Sequence, residues 1–184
     1  MSEQFQFLDL VKKRQSVRAY SQKPVEREKI ERCIEAAHLA PSACNAQPWK
    51  FIVVDDAELK NKIADETTTK MISMNHFTKQ APVHVVVVME NPNFTSAVGS
   101  VIRDKPFTLI DVGISTIQFC LQATAEGLGT CILGWFNEKK VKSLLNIPKS
   151  KRAVLIITLG YPNSEEIREK RRKAFNDIYS YNSY

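Results

Sequence analysis

The sequence predicts an α+β fold in which helices flank a mixed sheet. Two apolar runs of strand length, Val83–Met89 and 153–159, indicate strands that are buried on both faces. The clearest helical period covers 111–125. Strands and helices alternate with irregular spacing, which favours a mixed sheet over a doubly wound one. The dinucleotide fingerprint Gly-x-Gly-x-x-Gly is absent, since Gly127-Leu128-Gly129 follows a helix instead of opening one.

The first half of the chain is predicted to begin with two helices. Phe5, Leu8 and Val11 recur at helical spacing, so we expect an opening helix that ends near Lys13. A second helix opens at Pro24 and is ended by Pro41, because proline cannot continue a helix. The later elements are a strand, a helix capped by Asp55-Asp56, a short helix or part of a lid, and the first buried strand: 49–54, 57–65, 67–79 and 83–89.

The second half begins with 91–106, which has no period and is predicted to be a variable excursion. In the helix 111–125 one stripe is apolar, and Gly113 and Ala123 would permit close neighbours. The residues of this stripe are Ile114, Ile117, Leu121 and Ala125. The remaining elements are a strand, a helix, the second buried strand, which 160–162 closes, and a polar, basic tail: 130–133, 138–145, 153–159 and 163–184.

Length and composition predict one globular domain, 1–184. The net charge of +6 gathers near the two chain ends, and no nucleic-acid motif accompanies it, so we expect no nucleic-acid partner. The four cysteines have neither Cys-x-x-Cys nor zinc-ligand spacing, so we expect no metal. The polar N-terminus is unlike a secretion signal, and the longest apolar run is too short for a bilayer. These observations predict a cytoplasmic protein with reduced thiols.

Arg14, Ser16 and Arg18 alternate at the end of the first helix. If the chain is extended there, all three side chains point to one face. Two guanidiniums and a hydroxyl match phosphate oxygens in charge and geometry, so the segment predicts a phosphate site. The alternative is a solvated basic turn, since Lys12 and Lys13 precede it.

Two further segments could contact a planar heterocycle. The loop from Pro41 to Pro48 is bracketed by prolines and carries Ser42, Asn45 and Gln47, a polar rim suited to a flavin pyrimidine. Its alternative is an ordinary helix-to-strand connection. The segment 127–137 offers backbone amides beside glycines, which could stabilise charge on a flavin ring, unless those glycines only end a helix.

Taken in order, these segments resemble the FMN-dependent nitroreductase family almost from end to end. Arg14-Gln15-Ser16-Val17-Arg18 is similar to its opening Arg-Arg-Ser-x-Arg element, with Gln15 in place of the second arginine. The segment 40–51 resembles its Pro-Ser-x-x-Asn-x-Gln-Pro-Trp signature. The segment 125–131 is similar to its Ala-x-x-x-Gly-Leu-Gly motif, and 170–173 to its C-terminal phosphate element.

The resemblance implies a three-layer α-β-α sandwich around a mostly antiparallel sheet, and a homodimer that exchanges its C-terminal extensions. FMN would lie in the subunit interface. Its phosphate would be held by Arg14, Ser16, Lys170 and Arg172, and its pyrimidine side by Arg18 with Gln15 nearby. The partner would supply Pro41, Ser42, Ala43 and Asn45, backbone amides would come from Leu133 and Gly134, and Asn75 would lie near the flavin edge.

The function implied is oxidoreductase chemistry by a ping-pong mechanism. NADH or NADPH would deliver hydride to flavin N5, and nitroaromatic, quinone or similar electron-poor acceptors would follow in the same slot. We assign no catalytic side chain. One alternative is a flavin-sequestering protein without nicotinamide turnover. Another is a thiol hydrolase that pairs Cys44 with a histidine: His38, His76 or His84.

Overall fold

The structure is a computed structural model that describes residues 7–68, 74–90 and 105–184. The described residues form five α-helices: α1 Phe7–Lys13, α2 Arg27–His38, α3 Ala57–Asp65, α4 Phe107–Ala125 and α5 Glu138–Leu144. They also form four strands: β1 Trp49–Val54, β2 Val83–Met89, β3 Gly129–Leu133 and β4 Arg152–Gly160. Three short 3-10 turns lie at Ala43–Asn45, His76–Gln80 and Phe175–Asp177. No helix in these ranges is long and apolar enough to cross a membrane.

The four strands form one sheet in the order β1-β2-β4-β3, and every pairing between them is antiparallel. The register shifts between Val87 and Val88, where β2 pairs with β4. A parallel bridge joins Ser16 to Thr130 on the outer side of β3, so the chain after α1 runs along the sheet edge. The predicted mixed, mostly antiparallel sheet is therefore confirmed, with its parallel part reduced to this bridge.

Helices cover both faces of the sheet, which gives the three layers. Alternate residues of β2 enter opposite cores because successive side chains of a strand point to opposite faces. Val83, Val85 and Val87 pack in the core that α2 and α4 cover. Val86 and Val88 pack in the core that α3 and α5 cover. All five valines are at most 2 % exposed, as the unbroken apolar run predicted.

Helix α4 departs from prediction in its start and in the face that it buries. It begins at Phe107, four residues before the predicted start, so Asp111 lies inside the helix. Its buried side chains are Asp111, Val112, Ser115, Thr116, Phe119, Cys120 and Ala123. The predicted stripe with Ile117 lies on the opposite side, where Ile117 is 38 % exposed. A Cβ at Gly113 would meet nothing within 4 Å, so the close neighbour predicted there is absent from the described protomer.

The other predicted helix boundaries agree closely with the structure, apart from the start of α2. Helix α2 begins at Arg27, because Pro24 and Val25 precede an extended N-cap, Glu26. Helix α3 begins as predicted, with the Asp56 carboxylate accepting a hydrogen bond from Leu59 N at 2.8 Å. Of the predicted lid segment 67–79, residues 69–73 lie outside the described residues, as do Phe5 and 91–104 of the predicted excursion.

Candidate functional site

The segment after α1 is fixed to the sheet edge by its backbone. Val17 N donates to Thr130 O at 2.9 Å, which supports the bridge between Ser16 and Thr130. The Val17 side chain packs over Gly129, where a Cβ would lie 2.6 Å from Val17 Cγ2. Gly129 is thus required for close packing of the opening segment, a role that the sequence interpretation of this motif did not include. Gly127, with φ at 75°, ends α4.

The extended backbone brings the predicted phosphate residues together with the tail. Their side chains line an open pocket of about 360 Å³, called the basic pocket below. It is lined by Arg14, Gln15, Ser16, Arg18, Arg168, Glu169, Lys170, Arg171 and Arg172. All six residues predicted from the opening element and the tail are in this set. Arg168 is an addition that the sequence analysis missed, although it belongs to the same basic run.

The basic pocket has an excess of positive charge. Among its lining residues six are cationic, and Glu169 alone is acidic. The pKa of Lys170 is lowered, mainly by partial burial and to a smaller extent by repulsion from Arg14 and Arg172. Within the described residues, no salt bridge pairs Arg14, Arg18 or Arg172 with a carboxylate. The arrangement therefore favours an anion with several oxygens.

The loop between α2 and β1, residues 41–48, is held by hydrogen bonds. The backbone N of Ala43 donates to the Asp111 carboxylate of α4 at 3.1 and 3.2 Å. The Ser42 hydroxyl accepts from Gln47 N at 2.9 Å, and the Asn45 side-chain oxygen accepts from Gln47 Nε2 at 3.0 Å. Three loop residues have left-handed backbones: Cys44, Asn45 and Gln47. The polar rim predicted for this loop is thus preorganised.

The loop does not share a cavity with the basic pocket in the described protomer. Pro41, Ser42, Ala43 and Asn45 are absent from the residues that line it. Asp111, which anchors the loop, is 4 % exposed and lies in the first turns of α4. The sequence analysis used Asp111 only to begin a helix. Its signal was a lone carboxylate in an otherwise uncharged helix.

Three further predicted residues lie elsewhere. Leu133 ends β3 and is 6 % exposed, whereas Gly134 follows in solvent and a Cβ there would meet nothing within 4 Å. The backbone at Gly134 is thus accessible to a ligand. Asn75 has a left-handed backbone, and its side chain donates to Thr67 O at 3.1 Å. Neither Asn75 nor Leu133 lines the basic pocket.

The geometry does not support a thiol hydrolase that uses His84 as its base. His84 is fully buried in β2, with Nε2 3.0 Å from Thr78 O, and burial lowers its pKa to about 4. It cannot reach Cys44, which is exposed on the 41–48 loop. The other three cysteines are buried, and burial raises the pKa of Cys33 to about 12 and that of Cys120 to about 11. These two groups are therefore neutral thiols at neutral pH.

Helices α1 and α4 pack together, and several of their large apolar side chains are exposed; this set is called the apolar face below. Its residues are Phe7, Leu8, Val11, Leu109, Ile110 and Ile117, each more than a third exposed. The end of the chain is also apolar and exposed, at Phe175, Ile178, Tyr179 and Tyr181. Apolar surface of this extent is typical of an interface with another protein.

Comparison with known proteins gives one family. The sequence model of the nitroreductase family matches residues 11–161. A relative from Archaeoglobus fulgidus, provisionally named an NADH dehydrogenase/NAD(P)H nitroreductase, is 31 % identical over 86 % of this chain and 87 % of its own. An iodotyrosine deiodinase from Thermotoga neapolitana is 26 % identical, with 96 % and 97 % covered.

The fold matches as well. The structure of an FMN-dependent nitroreductase from Clostridium difficile superimposes with a TM-score of 0.79 at 26 % identity, covering 96 % of this chain and 99 % of the other. The family match includes the opening basic segment, the 41–48 loop and all four strands of the sheet. With its three-layer fold and its basic pocket, this chain belongs to the nitroreductase family.

Proposed function

We propose that this protein is an FMN-dependent oxidoreductase that takes hydride from NADH or NADPH and passes electrons to electron-poor acceptors by a ping-pong mechanism. The acceptors are nitroaromatics, quinones or compounds like them. The observation that carries the proposal is the basic pocket, where the opening segment and the tail meet. Family membership supports flavin redox chemistry, and the C. difficile relative supports FMN as the flavin.

The charge of the basic pocket fits the phosphate of FMN. Arg14 and Arg172 lie close enough to Lys170 to repel its positive charge. This repulsion lowers the pKa of Lys170, and only burial contributes more to that shift. A dianionic phosphate would replace this repulsion by attraction and would accept hydrogen bonds from the two guanidiniums. The Ser16 hydroxyl would complete the set as a neutral donor. A neutral ligand would leave the repulsion in place, so the pocket selects for an anion.

The remaining residues would orient the ring. Arg18 also lines the basic pocket, and its guanidinium lies 6.0 Å from the centre of the Phe77 ring. Its positive charge suits the electron-rich pyrimidine side of a flavin. The accessible backbone at Gly134, with that of Leu133, would donate hydrogen bonds to the ring. Asn75 would approach the ring edge only if its bond to Thr67 opened.

A second copy of the chain would supply the 41–48 loop. The loop is preorganised yet lines no part of the basic pocket of its own protomer, which supports a contact with the flavin across an interface. The apolar face supports such an interface, since its residues would be buried in a homodimer. The exposed aromatic tail would pack on the partner.

When bound, FMN would supply the hydride-accepting and electron-transferring ring, and the protein would supply position and charge. No side chain is assigned a proton-transfer role. The same pocket would serve a flavin-sequestering protein without nicotinamide turnover, so the two functions are separated by reaction with a donor. A cytoplasmic location is part of the proposal and stands on the sequence alone.

The test of this proposal is the visible spectrum of the purified protein before and after anaerobic NADH and NADPH. We expect flavin bands at about 370 and 450 nm that bleach within the mixing time with at least one donor. If the bands persist with both donors, the protein would be a flavin-sequestering protein and not an enzyme. A protein that is colourless and takes up no added FMN would contradict the whole proposal.

The acceptor is then identified on the donor-treated protein. Matched amounts of a nitroaromatic, a quinone and iodotyrosine are added without air, and the return of the bands is timed. Iodotyrosine is included because one relative is a deiodinase. We expect the nitroaromatic and the quinone to restore the bands fastest. Faster return with iodotyrosine would assign the protein to dehalogenation instead.

A further inference from the structure

The side chain of Gln15 is bonded to the tail. Its Nε2 donates to Glu166 O at 2.8 Å, and its Oε1 accepts from Arg168 N at 3.2 Å. The same oxygen accepts from Arg168 Nε at 3.3 Å. One amide thus satisfies a carbonyl and an N–H two residues apart, as a neighbouring strand would do. The predicted role of Gln15, a place near the flavin pyrimidine, uses neither of these contacts.

Two more hydrogen bonds continue this docking along the opening segment. The Arg168 guanidinium donates to Ser16 O, and the Lys170 ammonium donates to Lys12 O. The tail segment 166–170 therefore runs against residues 12–16 and delivers Lys170 and Arg172 to the basic pocket. Every one of these bonds joins parts of the chain about 150 residues apart in sequence.

Docking of the tail concentrates positive charge. Arg168, Lys170, Arg171 and Arg172 are brought beside Arg14 and Arg18, so the docked tail is opposed by repulsion when no anion is present. Gln15 can hold the tail at no cost in charge, because its amide is neutral and supplies both a donor and an acceptor. An arginine at this position would add a seventh cation and would have no acceptor for Arg168.

We propose that Gln15 is a positioning residue: its amide clamps the tail against the opening segment, and tail docking and FMN binding are thereby coupled. This inference rests on the proposed function for the identity of the anion. By linkage, whatever favours the docked tail tightens FMN binding, and FMN protects the tail by the same factor. Gln15 acts through Lys170 and Arg172 and need not contact the flavin.

The test compares Gln15→Ala with Gln22→Ala, an exposed glutamine outside the basic pocket. The first readout is the rate at which trypsin cleaves the tail within 168–173 in flavin-free protein. The second is the Kd for FMN from quenching of flavin fluorescence. Gln15 makes two hydrogen bonds with backbone groups of the tail and one with the Arg168 guanidinium. We therefore expect Q15A to raise the cleavage rate and the Kd about tenfold each, and saturating FMN to restore protection. Q22A should change neither by more than about twofold.

A double-mutant cycle separates the clamp from direct flavin contact. If Gln15 acts through Lys170 and Arg172, Q15A should weaken Kd little further in a Lys170→Ala/Arg172→Ala background, so the two effects are not additive. Additive losses, or a weaker Kd in Q15A with unchanged tail cleavage, would show direct contact and overturn the inference. An unchanged Kd for FMN in Q15A would overturn the proposed coupling through Gln15 but would leave the proposed flavin-dependent function standing. Wild-type protein that binds no FMN would overturn both.

Discussion

The basic pocket and the 41–48 loop are organised in opposite ways. The pocket joins two ends of the chain, is open to solvent and holds like charges together. The loop is local in sequence, carries no charged side chain and is fixed by hydrogen bonds to itself and to the buried Asp111. The pocket therefore gains most from a ligand, whereas the loop is ordered before one arrives.

The proposed dimer makes use of this difference between the two regions. A polar rim that is already formed can be presented to another subunit, because it does not depend on the ligand to hold its shape. A cationic cluster needs its anion nearby, and here the cations come from the same chain. In the proposed dimer, each FMN would bind the basic pocket of one protomer through its phosphate and the 41–48 loop of the other protomer through its ring.

The largest effect is expected from removing charge in the basic pocket. The double variant Arg14→Ala/Arg172→Ala should weaken FMN binding about 10²- to 10⁴-fold, because two charge-assisted contacts to phosphate are lost. Flavin fluorescence titration measures this change, and sedimentation should show an unaltered dimer. Arg27→Ala is the matched control, since Arg27 is exposed and pairs with Glu31 outside the pocket. Full flavin occupancy in the double variant would refute the phosphate assignment.

The next effect concerns the apolar face. Ile117→Asp should weaken the dimer about a hundredfold or more, because each interface would bury two unpaired carboxylates. Sedimentation over a dilution series measures the change, with Ile117→Val as the control. FMN affinity should fall together with dimerisation, since the loop is lost with the partner. An I117D monomer that binds FMN as tightly as wild type would place the whole site in one protomer.

A smaller effect is expected at the anchor of the loop. Asp111→Ala removes the acceptor of Ala43 N and leaves that donor unsatisfied. We expect FMN affinity about tenfold weaker and faster amide exchange at residues 43–47. Asp111→Asn keeps one acceptor oxygen and should lie between wild type and D111A. If D111A alters tail cleavage but not loop exchange, the two regions are not independent as described.

The smallest effect is a pH dependence that belongs to the basic pocket alone. Without ligand, the pKa of Lys170 lies below its usual value, and a bound phosphate raises it. FMN affinity should therefore be greatest below the ligand-free pKa and weaken a few-fold as the pH rises through it. Lys170→Gln should bind more weakly and lose this dependence. The same dependence in K170Q would assign the titration to another group.

The sequence was most informative where one local pattern decides the outcome. The valines of β2 and the cap at Asp56 follow from side-chain type and spacing, and both were predicted correctly. The pocket residues could be grouped because alternation in an extended segment puts Arg14, Ser16 and Arg18 on one side. The grouping of the tail with them came from the family resemblance.

The sequence was least informative where two distant segments meet. Gln15 gives no sign that its amide binds residues 166 and 168, because a neutral side chain has no long-range field. Helix α4 is apolar on both sides, so its period could not say which face the sheet would cover. Asp111 was predicted only as the first residue of a helical period, and its hydrogen-bond partner Ala43 lies 68 residues away in sequence, so no local pattern indicated the contact.

The most direct test of the shared site is complementation between two defective chains. One carries Arg14→Ala/Arg172→Ala, the other Ser42→Ala/Asn45→Ala, and each has its own affinity tag for purification of the mixed dimer after co-expression. A mixed dimer has one site with an intact basic pocket and an intact loop. We predict about one FMN per mixed dimer, at a flavin concentration where both parent homodimers stay nearly empty. A mixed dimer as empty as its parents would show that the pocket and the loop do not form one site.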